Sequence, residues 1–321
     1  MRRLTRQALA AIVLGAALLS GLAAQEEEAP LPAPSRHGEV FSRAGDEGRL
    51  VARFLRITTM TEDKSGDSTI LSSPDGQTML IDAGVPDCAG QIEADLKELG
   101  ISRLDAVVAT HPHIDHIGGL AAILASHEVG TLYMSRLEYP TKVFRAYMDM
   151  IRSRGIKIVY LEEGDSFSFG SEVKVKVYNP EPKISYYDGY PENSTQFVNN
   201  KSLVLKFTWA AASMLFMGDV YMPREIELSE KYGAELKADV IKVGHHGNDT
   251  SSGKSFVRLV SPKIAVTIHD GVASTQVYKT YRKAGAAAYI TFLDGTVKVS
   301  GDREGNWSVV TEQDRASDFL K

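Results

Sequence analysis

The fold is decided by the stretch Thr110-His111-Pro112-His113-Ile114-Asp115-His116-Ile117-Gly118-Gly119-Leu120. Three of the chain's eight histidines and one aspartate lie within six consecutive positions. Side chains two apart in an extended segment point the same way, so His111 and His113 can converge on one ion. Asp115 and His116 begin the following predicted helix, turned toward a second ion. Imidazole and carboxylate suit Zn²⁺, Mn²⁺ or iron, so the stretch predicts a metal site.

Predicted strands and helices alternate along the rest of the chain. A buried apolar strand over 105–109 leads into the histidine stretch, and a helix over 117–126 follows it. Further strands are predicted at 50–58, 69–72, 77–82, 157–160, 173–178, 203–208, 213–217, 240–243, 264–268, 289–292, 296–300 and 307–310, and helices at 92–99, 141–153, 225–232, 255–260 and 276–283. Hairpins flank the alternating units, which favours two sheets with helices outside them over one open parallel sheet. The predicted class is α/β, in one domain over 50–311.

The composition is that of an ordinary globular protein. The 321 residues are 43% hydrophobic and 24% charged, which excludes a disordered, collagen-like or polytopic membrane chain. A formal net charge of −5 argues against binding to nucleic acid by bulk charge alone, although bound cations would offset this acidity locally. The single cysteine, Cys88, cannot form an internal disulfide.

The N-terminus has the three-part layout of a secretory signal peptide. Three arginines lie within residues 1–6, an apolar run covers 8–19, and small residues follow up to 24. We therefore expect a secreted or periplasmic protein, with an uncleaved membrane anchor as the alternative. Residues 25–49 begin acidic and proline-rich and are expected to form an extended linker, and 312–321 to form a C-terminal tail.

The motif His111-x-His113-x-Asp115-His116 resembles the signature of the metallo-β-lactamase superfamily of dinuclear hydrolases. Three other segments resemble superfamily motifs in the same order: Met79–Gly84 with Asp-x-Gly, Leu215–Asp219 with Gly-Asp, and Val243–Gly247 with His-His-Gly. Together with Asn199–Leu205, they are most similar to the hydrolase domain of the ComEC competence proteins. The resemblance implies a four-layer αββα sandwich with metals at one edge.

The resemblance also implies two divalent metal ions, with Zn²⁺ favoured over Mn²⁺. Asp219 would offer one oxygen to each ion, and Asp82 would accept a hydrogen bond from a ligand imidazole. His246 is assigned as the ligand and its neighbour His245 as a substrate contact, with the reverse assignment open. The expected ligands are His111, His113, Asp115, His116, Asp219 and His246.

One ligand of the better-known β-lactamases and glyoxalases is missing. Between Ile117 and Gly218 the only histidine is His127, which would point away from the site. Asn200 lies near the expected place, so its amide oxygen or a water would fill the gap. One metal would then have a more open coordination shell that can bind a substrate oxygen.

The expected activity is hydrolysis by a metal-bridging hydroxide. Asp115 would orient the hydroxide, and His245 would stabilise charge or protonate the leaving group. The all-His/Asp ligand set favours phosphodiesters of small molecules or polymers, including nucleic acid, and no obligate protein partner is evident. The alternatives are another ester, such as a lactone or a phosphorylcholine-bearing polymer, and a non-catalytic binding module.

Two further features bear on the substrate. One face of the predicted helix 141–153 carries Lys142, Arg145 and Arg152, which could bind phosphate or simply be solvated. Before Asn200, five aromatic side chains could stack on bases, cage a choline-like cation or only hold a loop: Tyr178, Tyr186, Tyr187, Tyr190 and Phe197. Neither feature decides the substrate.

Overall fold

A computed structural model describes residues 35–60, 64–184 and 193–315. The strands are β1 Leu50–Phe54, β2 Thr69–Ser72, β3 Thr78–Ile81, β4 Arg103–Ala109, β5 Glu128–Met134, β6 Lys157–Tyr160, β7 Ser166–Phe169, β8 Val173–Asn179, β9 Val204–Trp209, β10 Ala212–Phe216, β11 Val240–Lys242, β12 Ile264–Thr267, β13 Ala287–Ile290, β14 Val297–Gly301 and β15 Trp307–Thr311. The α-helices are α1 His37–Val40, α2 Ala89–Glu98, α3 Ile114–Ile117, α4 Leu120–Ser126, α5 Lys142–Arg154, α6 Thr195–Asn200, α7 Met222–Tyr232, α8 Lys254–Val260, α9 Thr275–Lys283 and α10 Thr291–Asp294.

The strands form two mixed sheets. The first has the order β15-β14-β1-β2-β3-β4-β5-β6, antiparallel up to β3 and parallel from β3 to β6. The second has the order β13-β12-β11-β10-β9-β8-β7, parallel up to β10 and antiparallel beyond it. Because parallel strands end at the same edge of a sheet, each sheet gathers the loops that follow its parallel strands at one edge.

The sheets pack face to face, and helices cover their outer faces. Phe54 of the first sheet stacks on Phe216 of the second, with ring centroids 5.9 Å apart. Helices α2, α4 and α5 bury their apolar side chains against the first sheet, and α7, α8 and α9 against the second. This is the four-layer αββα arrangement, so the predicted fold class is confirmed.

The described part of the expected linker, 35–49, packs on the domain instead of extending away from it. Val40 and Phe41 are buried in the apolar cluster beneath α2. Arg53, fully buried on β1, donates to Val40 O at 2.7 Å and pairs with Asp46 at 2.7 Å. Asp46 also pairs with Lys298 of β14 at 2.8 Å. Apolar and charged contacts therefore make this segment part of the folded unit.

Residues just beyond 311, which the sequence assigns to a C-terminal tail, also contact the domain. Glu312 N donates to Thr296 O at 3.0 Å, and Arg315 pairs with Asp294 at 2.6 Å. The expected signal peptide, 1–24, lies outside the described residues. Within the described ranges, no helix combines the length and apolar character needed to cross a lipid bilayer.

Asp46→Ala tests the contribution of the segment before β1. The substitution leaves Arg53 and Lys298 without their shared buried carboxylate, so the free energy of unfolding should fall by about 3–5 kcal/mol in denaturant titrations. Glu47→Ala, which removes the exposed acid next along the chain, should change it by less than about 0.5 kcal/mol. Similarly small losses for both variants would contradict this account.

Candidate metal centre

Strand ends from both sheets meet at the site. Asp82 follows β3 and the histidine stretch follows β4, both in the first sheet, whereas Asp219 follows β10 and His246 follows β11 in the second. The short helix α3 places Asp115 and His116 on its first turns. Gly119 lets this turn approach β3, since a Cβ there would lie 2.3 Å from Ala83 O.

Two imidazoles converge on Asp219. The Nε2 atoms of His116 and His246 lie 3.3 Å apart, and 3.3 and 3.1 Å respectively from Asp219 Oδ2. Asp115 Oδ2 lies 3.2 Å from His246 Nε2 and 3.9 Å from His116 Nε2. Donor atoms around a tetrahedral cation at about 2.1 Å lie roughly 3.4 Å from one another. These spacings therefore fit one cation held by residues of both sheets.

His111 and His113 form a second group beside the first. His111 Nε2 lies 3.0 Å from His113 Nδ1 and 3.9 Å from Asp219 Oδ2. Asp219 thus turns the same oxygen toward both groups, unlike the expected arrangement of one oxygen for each ion. Its Oδ1 lies 4.0 Å from Lys242 Nζ and accepts no hydrogen bond within the described residues.

Two buried carboxylates orient the converging imidazoles. His116 Nδ1 donates to Asp82 Oδ2 at 2.8 Å, where the sequence placed Asp82, and His246 Nδ1 donates to Asp67 Oδ1 at 2.9 Å. Each contact fixes the proton on Nδ1 and leaves Nε2 facing the centre. Asp82 also accepts hydrogen bonds from Thr110 N and Oγ1, at 2.8 and 2.7 Å.

Sequence reasoning missed Asp67, which belongs to the buried group of candidate ligands together with His116, Asp219 and His246. Because it faces Nδ1 of His246, we interpret it as an orienting residue and not as a ligand. Asp67 N donates to Asp115 O at 3.0 Å. The preceding Gly66 has φ +86°, and a Cβ there would lie 1.8 Å from Asp115 O, so only glycine fits at this position. The dipeptide Gly66-Asp67 is therefore the sequence feature that could have pointed to Asp67.

Two lysines adjoin the carboxylates and were also missed. Lys242 on β11 is buried and forms an ion pair with Asp67. Lys64 Nζ lies 2.5 Å from Asp115 Oδ2, and its side chain is partly exposed at the rim. Although burial alone would lower it, the Asp115 and Asp219 carboxylates raise the pKa of Lys64, so this ammonium stays charged.

The charge balance fits divalent cations. The buried carboxylates Asp67, Asp82, Asp115 and Asp219 exceed the two lysine charges by two. Burial alone would raise the pKa of Asp219, but His246 and His116 hold it well below its usual range. Burial would lower the pKa of His116, yet Asp219 and Asp82 raise it to about 10. Without metal, protons on the imidazoles supply the missing positive charge, and cations would replace them.

Comparison with known proteins agrees with this geometry. Residues 62–183 match the family model described as the Metallo-beta-lactamase superfamily. Over this segment the chain is similar to the metallo-β-lactamase superfamily. Imidazole and carboxylate side chains at one edge of an αββα sandwich agree with this similarity, and the predicted resemblance to the superfamily is confirmed.

Two curated relatives confirm the predicted likeness to competence proteins. "ComE operon protein 3" of Bacillus subtilis (strain 168) is 30% identical over 167 residues, covering 52% of this chain and 20% of that protein. "Competence protein ComA" of Neisseria gonorrhoeae is 28% identical over 234 residues, covering 71% of this chain and 30% of that protein. The chain therefore spans less than a third of the length of either relative.

Solved structures show the same fold. CmlA, a diiron β-hydroxylase from Streptomyces venezuelae, has a TM-score of 0.50 and 14% identity, with 79% of this chain and 54% of that chain covered. At this identity the likeness concerns the fold alone.

His245 lies beside the candidate metal centre, in a stretch of strained backbone. Both His245 and His246 have positive φ, at +45° and +50°, which only the surrounding contacts can maintain. The His245 ring packs on Tyr221 with centroids 4.8 Å apart, and its Nδ1 is hydrogen-bonded to Thr250 Oγ1. Burial lowers the pKa of His245 to about 4. A neutral hydrogen-bonding contact therefore suits His245 better than the expected role of proton donor. His246 Nε2, by contrast, faces Asp219 and Asp115, at 3.1 and 3.2 Å.

The structure gives Asn200 a different use from the one expected. Its Oδ1 accepts a hydrogen bond from Tyr221 N at 3.0 Å, so the amide braces the turn after Asp219 instead of replacing the missing histidine. The His127 ring is hydrogen-bonded through Nδ1 to Ser126 Oγ at 3.0 Å, and it lies outside the groups of candidate ligands. Tyr186, Tyr187 and Tyr190 lie outside the described residues, whereas Tyr178 and Phe197 are buried in apolar clusters.

A cavity of about 430 Å³ opens beside the ligands. Its walls include His113 and Asp115, the apolar side chains of Tyr139 and Val143, and two cations, Lys64 and Lys142. Arg152, on the helix face considered for phosphate binding, is exposed and pairs with Asp149 at 2.6 Å. Of the basic residues singled out on α5, Lys142 is the one that borders this cavity.

Asp82→Asn tests whether the orienting carboxylate supports metal binding. The amide cannot accept all three hydrogen bonds of Asp82, so metal affinity should fall by about 10- to 100-fold in chelator-competition titrations. Asp105→Asn is the matched control, because Asp105 also accepts a backbone N–H, from Thr78 at 2.9 Å, but at the opposite end of β4. Unchanged affinity in Asp82→Asn would refute the orienting role.

Proposed function

We propose that the chain is an exported, dinuclear, metal-dependent hydrolase that cleaves phosphodiester bonds, with nucleic acid among the candidate polymers. The observation that carries the proposal is the convergence of His116 Nε2 and His246 Nε2 on Asp219 Oδ2, at 3.3 and 3.1 Å. The match of residues 62–183 to the metallo-beta-lactamase superfamily model supports hydrolysis, and the signal-like layout of residues 1–24 supports export.

Two groups of side chains would hold the ions. His111 and His113 form one group, and Asp115, His116 and His246 form the other, with Asp219 between them. All the donors are imidazole nitrogens or carboxylate oxygens, which suits Zn²⁺, our first choice, as well as Mn²⁺. When bound, the cations supply positive charge that polarises a phosphoryl oxygen and acidifies water.

The chain's own residues bind and orient the substrate. Lys64 and Lys142 bring two positive charges to the cavity wall beside Asp115, where an anionic phosphodiester gains more than a neutral ester does. Asp115 Oδ2, which faces both this rim and the imidazoles, orients the attacking water. His245 offers a hydrogen bond from a neutral ring to a substrate oxygen.

The principal test is turnover of bis-p-nitrophenyl phosphate by the full chain loaded with Zn²⁺ or Mn²⁺. His246→Gln and Asp219→Asn should each lower kcat/KM by about 100-fold or more, because each removes a donor from the ligand groups. His127→Gln, a histidine change outside those groups, should leave kcat/KM within about twofold. If the wild-type chain with two bound metals shows no phosphodiester turnover, the proposal fails.

A substrate panel separates phosphodiesters from other esters. The same preparation is assayed on single-stranded DNA, p-nitrophenyl phosphorylcholine and a lactone. The two lysines at the cavity predict that the anionic DNA is cleaved faster than the neutral lactone or the zwitterionic phosphorylcholine ester. Preferred hydrolysis of the lactone or of the phosphorylcholine ester would support the runner-up, a hydrolase of another ester. Metal binding without any turnover would support a non-catalytic binding module.

A further inference from the structure

Glu225 is a buried carboxylate that the proposed chemistry does not use. It lies on the first turn of α7 and has only 1% of its surface exposed. Its Oε1 accepts a hydrogen bond from Ser252 N at 2.6 Å, and its Oε2 accepts one from Gly253 N at 2.8 Å. Within the described residues no cation pairs with it, and burial raises its pKa to about 7. Burying a carboxylate without a counter-ion is costly, and the two backbone N–H donors offset part of that cost.

These hydrogen bonds join the two loops of the second sheet that supply metal ligands. Glu225 lies six residues after Asp219, and Ser252 lies six residues after His246. Met222 N, at the start of α7, donates to Thr250 O at 2.8 Å and strengthens the same connection. The segment 248–253 is thus held against α7 at three backbone positions.

The held segment in turn contacts the strained His-His turn. Thr250 Oγ1 is hydrogen-bonded to His245 Nδ1, and Ser251 Oγ donates to Gly244 O at 2.8 Å. Asn248 Nδ2 donates to His245 O at 2.9 Å. Because positive φ at two consecutive histidines is unfavourable, the turn keeps its shape only while these contacts hold.

We propose that Glu225 is a positioning residue: its carboxylate fixes the segment 248–253 and, through Thr250, sets the orientation of the His245 ring beside the metal centre. Its effect on turnover rests on the proposed function, whereas its effect on the ring does not. The Gln side chain has one acceptor oxygen, so its NH₂ group would face the backbone N–H of Ser252 or Gly253 and could not accept that hydrogen bond. Glu225→Gln therefore loosens the segment while keeping the size of the side chain.

A double-mutant cycle tests the path through Thr250. Glu225→Gln and Thr250→Val, which removes only the hydroxyl, should each lower kcat by about 10- to 100-fold, because small displacements of a contacting group are costly in the transition state. KM should stay within about twofold, and the metal content should equal that of the wild type. The double variant should lose little more than either single variant, since both changes interrupt one path.

The position of the ring is measured independently of turnover. The ¹⁵N chemical shifts of the His245 ring, assigned with a His245→Gln variant, should change in Glu225→Gln and Thr250→Val. Thr250→Ser, which keeps a hydroxyl, should stay closer to wild type than Thr250→Val. Tyr281→Phe is the control, because it removes a different hydrogen bond to this segment, Ser252 Oγ to Tyr281 Oη at 3.3 Å, and should leave the His245 shifts unchanged.

The results distinguish the two proposals. Unchanged His245 shifts in Glu225→Gln, or independent and multiplicative losses in the double variant, would overturn the positioning role. If the wild-type chain is inactive on every substrate but the shifts respond as described, the proposed function fails and the positioning role stands. Equal shift changes in Tyr281→Phe and Glu225→Gln would indicate a general loosening of the segment and would also overturn the proposal.

Discussion

The arrangement depends on buried carboxylates that hold histidine rings by their Nδ1 atoms. One of these contacts, between Asp67 before β2 and His246 after β11, joins the two sheets, and Asp82 holds His116 in the same way. Burying this much negative charge is unfavourable unless cations balance it, so the sandwich closes around a site that favours metal. Lys242 supplies one permanent positive charge beneath the site.

Much of the fold could be predicted from the sequence because hydrophobic periodicity is a local signal. The predicted strand 157–160 agrees with β6, and the predicted helix 141–153 with α5 within one residue at each end. Strand β5 was missed because Glu128 and Gly130 interrupt its apolar pattern. Gly130 is needed there by a distant contact, since a Cβ would lie 2.6 Å from Asp105 O. The predicted helix 117–126 is interrupted at Gly118 and Gly119, which separate α3 from α4. Here too a distant contact requires glycine, since a Cβ on Gly119 would lie 2.3 Å from Ala83 O.

The sequence pointed to most of the side chains that meet at the candidate site because they stand in short motifs, but it did not point to the residues that orient them. Asp67 and Lys242 come from different sheets and meet only in the folded chain. Glu225 stands in no motif that would mark it as functional. The segment 35–49 looked like a linker because its packing depends on Arg53, which in sequence is only a charged residue within a strand. The contacts that could not be predicted are therefore those between single polar residues that are far apart in the sequence.

Anomalous diffraction from crystals of the Mn²⁺-loaded chain shows whether the carboxylates that hold Nδ1 direct the Nε2 atoms to a metal ion. One peak is expected in contact with Nε2 of His116, Nε2 of His246 and Asp219, and a second beside His111 and His113. Nδ1 of His116 and of His246 should remain hydrogen-bonded to Asp82 and Asp67. The absence of a peak between His116 and His246, or metal bound through their Nδ1 atoms, would contradict this arrangement.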